Sequence, residues 1–468
     1  MQQSRAQHPL AVLRMALGLS HGQYAQLVAD AHAALGYGRV LARREKVARW
    51  EGGRAVPTPT AQLAIARIHG VDEHEVTRLG WPHWLLLGTD DAVLLDGTWG
   101  PAAAARAAHA TAVLGHSPRP GGREPAVTGS ALRGQLHSAL VVLGRPPVLS
   151  GQAGRPIPEH ALEWAETRLR ALEVQESGSP ATAPVLTYAA RAEHQLIAEM
   201  LDTGGYGAAT ASRLFYLGAR GARLCSCLSM CLMRTADAER YALSALRCAV
   251  TAGSGRQAVA ALATLGGIHA ARGDPRDALL TIEAARQIPE SAASTQVLDA
   301  WDALAQARLA DGRGALRALW AAERAVDRAA PPEADSGTDR EVVSPPGLDA
   351  MRVALCSGLR WLEQDQPRWA LADFVLMTRD RPHRGGSSPF APGVLLYVTE
   401  AQLSAGELDT AVHSAHRAIA LAGSLPVTLA QEFRRLFAPY RDDRRVRDVL
   451  EILPRCQPEA AVPSQAPG

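Results

Sequence analysis

Lysine, cysteine and long apolar runs are scarce in this 468-residue chain. Lys46 is its one lysine, so almost all 49 basic residues are arginines and their number alone carries no functional meaning. A chain of this length can bury a core that needs no disulfide staples. It has no apolar run of the about 18 residues that a membrane helix needs, and its start, MQQSRAQHPL, lacks the features of a signal peptide. We therefore expect a soluble cytoplasmic protein with no membrane partner, whose six cysteines are mostly reduced thiols.

The sequence motifs of common enzyme classes are also missing. There is no G-x-S-x-G, P-loop or H-E-x-x-H sequence, and GGYGAAT at Gly204 lacks the third glycine and the preceding strand of a dinucleotide-binding loop. Cys227 and Cys231 lie one helical turn apart, but no partner stands at a zinc-finger spacing. Small side chains on a buried helix are the favoured interpretation over a metal site. The prediction is a protein that is not an enzyme and has neither metal nor cofactor.

Charge is distributed unevenly along the chain. The formal net charge is +2, yet residues 1–70 contain nine basic and three acidic residues, so this part carries +6 and the remainder −4. The segment RVLARREKVARWEGGRAVP, residues 39–57, has six basic side chains and two acidic ones. Such asymmetry indicates a nucleic-acid-facing module joined to a body with another role.

The first seventy residues have the pattern of successive helices. An apolar stripe in LAVLRMALGLS stops at Gly18, and Ser20 can cap the next helix, HGQYAQLVADAHAAL. After the break GYG the pattern is helical again from Arg39 and ends at GG, and PTAQLAIARIHGV gives a further amphipathic helix. The residues of the third helix expected to face the core are Val40, Val47 and Trp50.

LSHGQYAQL followed by VARWEGGRAVP resembles the helix-turn-helix of the phage-repressor or xenobiotic-response-element superfamily of bacterial regulators. In that superfamily the recognition helix typically ends in a Trp-Glu-x-Gly-like turn before a proline. His21 stands where glutamine is usual, with Gln23 close by, and the segment between Leu19 and Val47 is longer than in the compact motif. The residues that carry the resemblance are Leu19, Ser20, Ala25, Leu27, Val47, Arg49, Trp50, Glu51, Gly53 and Pro57.

The resemblance implies that the third helix reads double-stranded DNA. An α-helix fits the major groove, where side chains near its N-terminus reach base edges while flanking cations hold phosphates. The residues predicted to face bases are Arg43, Arg44 and Lys46; those predicted to contact phosphates or to pair within the protein are Arg39, Arg49 and Arg54; Ser20 and Gln23 complete the DNA-binding set. The alternative is a solvated basic helix face without a partner.

The second half of the chain repeats. LATLGGIHAARGDPRDALLTIEAARQIPE has small residues at the offsets of a tetratricopeptide unit, where they let two antiparallel helices approach closely. ALCSGLRWLEQDQPRWALADFVLMTRDRP and LLYVTEAQLSAGELDTAVHSAHRAIALA repeat the scheme, and ADAERYALSALRCAV and GALRALWAAERAV look like degraded copies. With this body, the chain is similar to large regulators of high-GC bacteria that combine the DNA reader with tetratricopeptide-like repeats. The equivalent alanines are Ala242, Ala278, Ala318, Ala370 and Ala411.

Inward-facing positions of the first helix in each repeat define a candidate groove for a ligand or partner. Small residues in the earlier repeat leave room, while later leucines offer apolar contact and Arg352 with Glu400 suits the two charges of a short peptide. The alternative is that these leucines only pack against neighbouring helices. The groove residues are Arg352, Leu355, Leu359, Leu362, Leu396, Glu400 and Leu403, with Ala260, Ala263, Gly267, Ala270 and Ala271 from the earlier repeat.

The predicted fold is all-α. A helix-turn-helix domain of five-helix type at 1–80 precedes a helical connecting region with turn-rich breaks at 81–180, where Trp81 and Trp84 either pack at the domain junction or form an aromatic patch. An α-solenoid of tetratricopeptide-like hairpins at 181–455 and a disordered tail at 456–468 follow.

The resemblance implies a transcriptional regulator that binds specific DNA sequences and senses a peptide, small ligand or protein partner through its repeats. A homodimer is expected, because one short helix reads too few base pairs. The alternative is an interaction scaffold whose helix-turn-helix no longer binds DNA. His21 and the lengthened turn favour the scaffold, and the charge of residues 1–70 favours DNA.

Overall fold

A computed structural model describes residues 8–89, 92–95, 98–113, 126–176, 183–328, 348–378, 391–422 and 425–453. Most of these residues are helical, so the all-α fold class is confirmed. Within them the β-structure consists of an isolated bridge and two two-residue strands, β1 (Arg155–Pro156) and β2 (Gly204–Gly205), paired in parallel. A Cβ on Gly205 would lie 2.4 Å from the Gly154 carbonyl oxygen, so this GG sequence serves a close backbone crossing. The predicted tail lies outside the described residues.

The N-terminal part contains short helices, of which α1, α2 and α4 lie where the sequence pattern predicts them. The Ser20 hydroxyl accepts a hydrogen bond from the Gln23 amide (3.3 Å), and the Gln23 side chain accepts one from the Ser20 amide (2.9 Å), which completes a capping box. Gly18 has a left-handed φ of 68° after the first helix. The helices are α1 (Pro9–Ala16), α2 (His21–Ala34), α3 (Arg44–Glu51), α4 (Pro59–Ile68) and α5 (Glu73–Leu79), followed by a 3₁₀ turn, His83–Gly88.

The start of the third helix differs from the prediction. Helix α3 begins at Arg44, whereas Arg39 and Val40 lie in a loop over residues 35–43, and Val40 is 39 % exposed instead of facing the core. The reason is a tertiary contact, because the buried His32 ring bonds to the Gly38 carbonyl (Nδ1 to O, 2.9 Å) and to Thr60 (3.0 Å). These bonds hold the chain against α2 just before the residues that were expected to be helical.

The connecting region is helical and is continuous in packing with the N-terminal helices and with the helices up to Leu298. A single buried apolar cluster runs from Leu10 of α1 to Leu298, and it includes Trp84, which is fully buried and donates to the Gln62 side chain (3.2 Å). Trp84 therefore serves packing and not an exposed aromatic patch. The helices are α6 (Ala92–Leu95), α7 (Pro101–Ala112), α8 (Gly129–Gly144), α9 (Glu159–Glu176) and α10 (Ala183–Thr203).

The remaining helices pack mainly in consecutive pairs, and three of these pairs contain the three full-length segments in which the sequence shows a repeated pattern. Gly358 illustrates the close approach, since a Cβ there would lie 2.2 Å from the Phe374 ring of the paired helix. Four of the turns within pairs contain a left-handed residue: Met233, Ala310, Asp365 and Gly406. The pairs are α11 (Ala208–Cys231) with α12 (Thr235–Thr251), α13 (Gly255–Arg272) with α14 (Pro275–Arg286), α15 (Thr295–Arg308) with α16 (Gly312–Arg328), α17 (Leu348–Glu363) with α18 (Pro367–Thr378), and α19 (Ala391–Ser404) with α20 (Leu408–Ala422); α21 (Val427–Phe437) and α22 (Arg444–Ile452) follow.

The connecting helices attach to this body through α7, which packs on α10 and α12, and through α8, which packs on α12 and α14. The buried Arg247 guanidinium strengthens the attachment by donating to the carbonyls of Leu94 (3.0 Å) and Thr98 (2.8 Å) and to the Gln135 side chain (3.2 Å). Every helix in the described residues is too short or too polar to cross a lipid bilayer.

Candidate nucleic-acid interface and helix-lined cavity

Helix α3 has an inner face that is fixed by packing and by an ionic cluster. Val47 is fully buried, and Trp50 packs against the same core. At the end of α3, the Glu51 carboxylate accepts two hydrogen bonds from Arg14 of α1 (2.7 and 3.1 Å) and contacts His21 Nε2 of α2 (3.0 Å). The Glu51 side chain is only 9 % exposed, so this cluster ties three helices together in one orientation.

The outer face of α3 and its flanking loops are cationic. Around it lies one exposed carboxylate, Glu45, which pairs with the Arg44 guanidinium at 3.1 Å. At 100° per residue, Glu45 and Arg49 lie at the centre of the face opposite Val47, with Lys46 and Ala48 beside them. The predicted cations are all exposed: Arg39, Arg43, Arg44, Lys46, Arg49 and Arg54.

Ser20 and Gln23, the other predicted DNA contacts, lie at the start of α2. Both residues are exposed, and both side chains take part in the capping box described above. Their local role is to satisfy the backbone groups at the first turn of α2. A contact with DNA through either side chain stays a prediction.

A cleft of about 220 Å³ separates α2 from α3 and the loops around them. Its floor includes Val28, Ala29 and Val47, whereas Arg43, Lys46 and Arg49 lie along its lining with exposed apolar side chains. Leu41 is 68 % exposed and Val56 is 65 % exposed. The interface therefore offers apolar groups as well as positive charge to a partner.

Residue patterns did not reveal the cluster at Glu51 or the anchoring role of His32. Arg14 and His21 are separated from Glu51 by 37 and 30 positions, so no local spacing marks the contact. His21 was treated as a departure from the helix-turn-helix pattern, yet its ring contacts Glu51 directly. Glu51 directly follows the buried face of the helix among the six cations of residues 39–57, and this is a usable signal, because a buried carboxylate needs cationic partners.

A second candidate site is a cavity of about 140 Å³ in the paired-helix region. Its walls come mainly from the first helix of each pair, α11, α13, α15, α17 and α19, which also contact one another in sequence order. The lining residues are Arg223, Cys227, Met230, Cys231, Met233, Ala260, Ala263, Thr264, Gly267, Ile268, Ala271, Ser294, Val297, Trp301, Arg352, Leu355, Leu359, Gly393, Val394 and Tyr397.

Some residues of the predicted groove line this cavity together. From the later repeats Arg352, Leu355 and Leu359 line it, and from the earlier repeat Ala260, Ala263, Gly267 and Ala271 do so. A Cβ on Gly267 would lie 2.6 Å from the Trp301 ring, so the missing side chain admits this ring into the wall.

Other predicted groove residues lie elsewhere. Leu396 is 2 % exposed and, with the partly buried Leu403, belongs to a separate apolar cluster near the end of the chain. Glu400 is outside the lining, and burial raises its pKa despite the nearby guanidinium groups of Arg435 and Arg272. Leu362 and Ala270 pack in a further cluster. The structure therefore does not bring Arg352 and Glu400 to opposite ends of one cavity.

The helix array closes on itself at a seam between α11 and the last helices. The Thr428 hydroxyl donates to the Leu232 carbonyl (2.6 Å), and Met233 shares an apolar cluster with Leu395 and Leu396. A Cβ on Gly393 would lie 2.9 Å from the Cys231 carbonyl oxygen, which shows how close the two chain segments approach. Because of this approach, Gly393, Val394 and Tyr397 of α19 line the same cavity as the end of α11.

The cysteines contribute packing and part of the cavity wall. Cys225 and Cys248 are fully buried, and desolvation raises the pKa of each thiol to about 12, so both stay protonated. Cys227 and Cys231 reach the cavity surface. No group of three or more potential metal ligands occurs in the described part of the chain.

The chain was compared with protein-family profiles, curated proteins and solved structures, and none of the three comparisons gave a match. Interpretation of both sites therefore depends on their residues.

Proposed function

We propose that this protein is a sequence-specific DNA-binding transcriptional regulator. The observation that carries the proposal is the two-sided character of α3, whose inner face is held by Val47 and the Glu51 cluster while its outer face presents exposed cations. Because the inner contacts fix the helix, the backbone positions of its cations are fixed relative to the rest of the domain. Positive side chains arranged around one short helix suit the phosphates and base edges of a major groove.

In this proposal α2 and α3 form the helix-turn-helix of an N-terminal domain at 1–80. The paired helices within 181–455 form an α-solenoid of tetratricopeptide-like hairpins that senses a ligand or partner. The contact between His21 and Glu51 removes one reason to favour a scaffold that has lost DNA binding, because the unusual residue helps hold α3 in place. A homodimer in the cytoplasm supplies the second recognition helix that specificity requires.

The positions on α3 refine the predicted contacts. Arg49 lies at the centre of the outer face and is exposed, which supports a proposed role in base reading along with Arg43, Arg44 and Lys46. Glu45 is a candidate acceptor for a cytosine amino group. Arg39 and Arg54 flank the helix and are assigned to phosphates.

The proposal is tested by gel-shift titration of the full chain on duplexes selected from a random library. The expected affinity falls steeply as salt rises, because bound cations release counterions from DNA. Arg441→Ala removes an exposed arginine outside the interface and should leave affinity unchanged. Binding that is equally weak at low and high salt would contradict the proposal.

Selection with variants separates base contacts from phosphate contacts. Arg43→Ala and Arg44→Ala are each expected to cost about 1 to 3 kcal/mol and to relax the selected consensus. Arg54→Ala is expected to weaken all sequences alike and to reduce the salt slope. An unchanged consensus for both Arg43→Ala and Arg44→Ala would show that other residues read the bases.

A further inference from the structure

Exposed apolar side chains border the cleft between α2 and α3. Leu41 lies in the loop before α3 and Val56 in the loop after it, and about two thirds of each side chain is open to solvent (68 % and 65 %). Val40, next to Leu41, is also exposed, and all three residues line the cleft. Single exposed apolar residues are ordinary on a protein surface, whereas a contiguous group of them favours an interaction site.

The charge of the same cleft favours a nucleic acid as the partner. Arg43, Lys46 and Arg49 contribute exposed cationic side chains to its lining, and no carboxylate lines it among residues 8–89. Covering these cations with an apolar protein segment would be costly, because their charges would lose water without gaining acceptors. DNA supplies acceptors for the cations and apolar groups for the other side chains within one groove.

The position of Leu41 brings it next to the part of α3 that is expected to reach base edges. Helix α3 begins at Arg44, three residues after Leu41, and side chains near the N-terminus of a recognition helix contact bases. A leucine side chain forms no hydrogen bonds, so it distinguishes bases only by apolar contact. In the major groove the apolar group that marks one base is the 5-methyl group of thymine.

We propose that Leu41 packs on the 5-methyl group of a thymine in the major groove and that Val56 contributes to the same apolar contact. The neighbouring Arg43 then binds a guanine close to this thymine, because guanine presents the two acceptors that a guanidinium group can bind together. The recognised sequence therefore combines thymine with guanine. The inference deepens the proposed DNA-binding function and rests on it.

Replacement of thymine by deoxyuridine, which lacks only the 5-methyl group, tests the contact without any change in the protein. A duplex is selected from a random library with the full chain, and its thymines are replaced singly. At the thymine that contacts Leu41, binding is expected to weaken about fourfold, because one buried methyl group is lost. A selected consensus without thymine, or one in which no replacement changes the affinity, would overturn the proposal.

A double-mutant cycle assigns the methyl group to Leu41. In Leu41→Ala the same deoxyuridine replacement is expected to leave the affinity unchanged, because the side chain that contacts the methyl group is gone. The substitution is at an exposed position, so the variant should fold. Leu41→Met keeps an apolar side chain and should retain most of the effect. Leu316→Ala, at an exposed leucine of α16, is the matched control and should retain all of it. An undiminished effect in Leu41→Ala would overturn the proposal.

Salt dependence separates this contact from the contacts with phosphates. Leu41→Ala is expected to lower the affinity for the selected duplex without changing the salt slope, since an apolar contact releases no counterion. A reduced slope would show that the substitution acts through the neighbouring cations and would overturn the proposal. Loss of a dimer in Leu41→Ala, measured by sedimentation, would assign the apolar side chains to a second copy of the chain and would overturn it as well.

The outcomes also separate the thymine contact from DNA binding itself. If the full chain selects no duplex and binds DNA equally weakly at low and high salt, the regulator function fails and the thymine contact fails with it. If the chain selects a duplex and its affinity falls steeply with salt, but the deoxyuridine cycle shows no coupling to Leu41, the thymine contact alone is wrong.

Discussion

Arginines in the N-terminal part and in the paired-helix region differ in what their guanidinium groups contact. Around α3 they are exposed to solvent, whereas the body buries several of them among backbone carbonyls and carboxylates. The partly buried Arg308 likewise donates to the carbonyls of Ala270 (2.8 Å) and Gly273 (2.9 Å). Arg14 belongs structurally with the second group, because it serves Glu51 inside the N-terminal part.

The difference separates two uses of one abundant residue type. A buried guanidinium must have hydrogen-bond acceptors, since leaving the charge without them is costly, and those acceptors then depend on the arginine in turn. An exposed arginine contributes little to the stability of the fold, and its guanidinium group remains accessible to phosphate. Contacts of the guanidinium group, and not the arginine content of the sequence, therefore distinguish structural from functional positions.

The largest loss of stability is expected for the substitution of Arg247, a buried arginine. Arg247→Ala removes the donor to the Leu94 carbonyl and the Gln135 side chain, both buried, and to the Thr98 carbonyl, so we expect a loss of about 3 to 5 kcal/mol in the free energy of unfolding. Arg49→Ala, the exposed counterpart, should change it by less than about 0.5 kcal/mol. Urea unfolding of the full chain measures both. Similar losses of stability in the two variants would contradict the distinction between buried and exposed arginines.

Buried histidines of the body should give a pH dependence of stability. Desolvation lowers the pKa of His194 and of His269 from 6.5 to about 4. Above pH 6.5 the two histidines are neutral in the folded and in the unfolded chain, and the free energy of unfolding has its full value. As the pH falls from 6.5 toward 4, the histidines of the unfolded chain take up protons first, so the free energy of unfolding declines. Each residue accounts for at most about 3 kcal/mol.

Unfolding at about pH 7 and about pH 5 measures this decline. His194→Gln removes one titrating group, and its stability should fall less between the two conditions than that of the unmodified chain. The buried contact between Thr111 and His194 Nε2 (2.9 Å) makes Gln a suitable polar replacement. An unchanged pH dependence in this variant would show that His194 does not contribute.

Substitution of Glu51 is expected to reduce stability less than substitution of Arg247 does, but to weaken DNA binding more. Glu51→Gln weakens the charged contacts to Arg14 and His21, and we expect a loss of about 1 to 3 kcal/mol in the free energy of unfolding together with weaker DNA binding. Asp30→Asn changes an exposed carboxylate of α2 and serves as the control. Full DNA affinity in a destabilised Glu51→Gln variant would show that the cluster supports folding without orienting α3.

Several features of the fold follow from local patterns. Ser20 caps α2 as its position before the helix predicts, and Val47 is buried as its helical position indicates. In the repeats, Ala278 and Ala370 are fully buried, because small side chains are needed where paired helices approach. These features depend on residues within one or two turns or on a repeated offset, so the sequence carries them directly.

Other features depend on contacts between distant residues. The pattern that placed the third helix at Arg39 could not include the contact of His32 with Thr60, 28 positions away, which fixes the ring that bonds to the Gly38 carbonyl. The predicted groove was likewise drawn on separate repeats, and only the curvature of the whole array decides that Arg352 reaches the cavity while Glu400 does not. The curvature of the helix array is the sum of many small angles between packed helices, and no single residue spacing in the sequence determines it.

The seam between Leu232 and Thr428 has a consequence for how the body unfolds. In an open array each repeat touches only its neighbours, so unfolding spreads inward from free ends. Once the last pair rests on the first, the outermost helices of the array gain a second neighbour and fraying must break the seam as well. Destabilisation of one pair of helices then affects the pairs on both sides of it. The paired helices should therefore unfold as one cooperative unit instead of pair by pair.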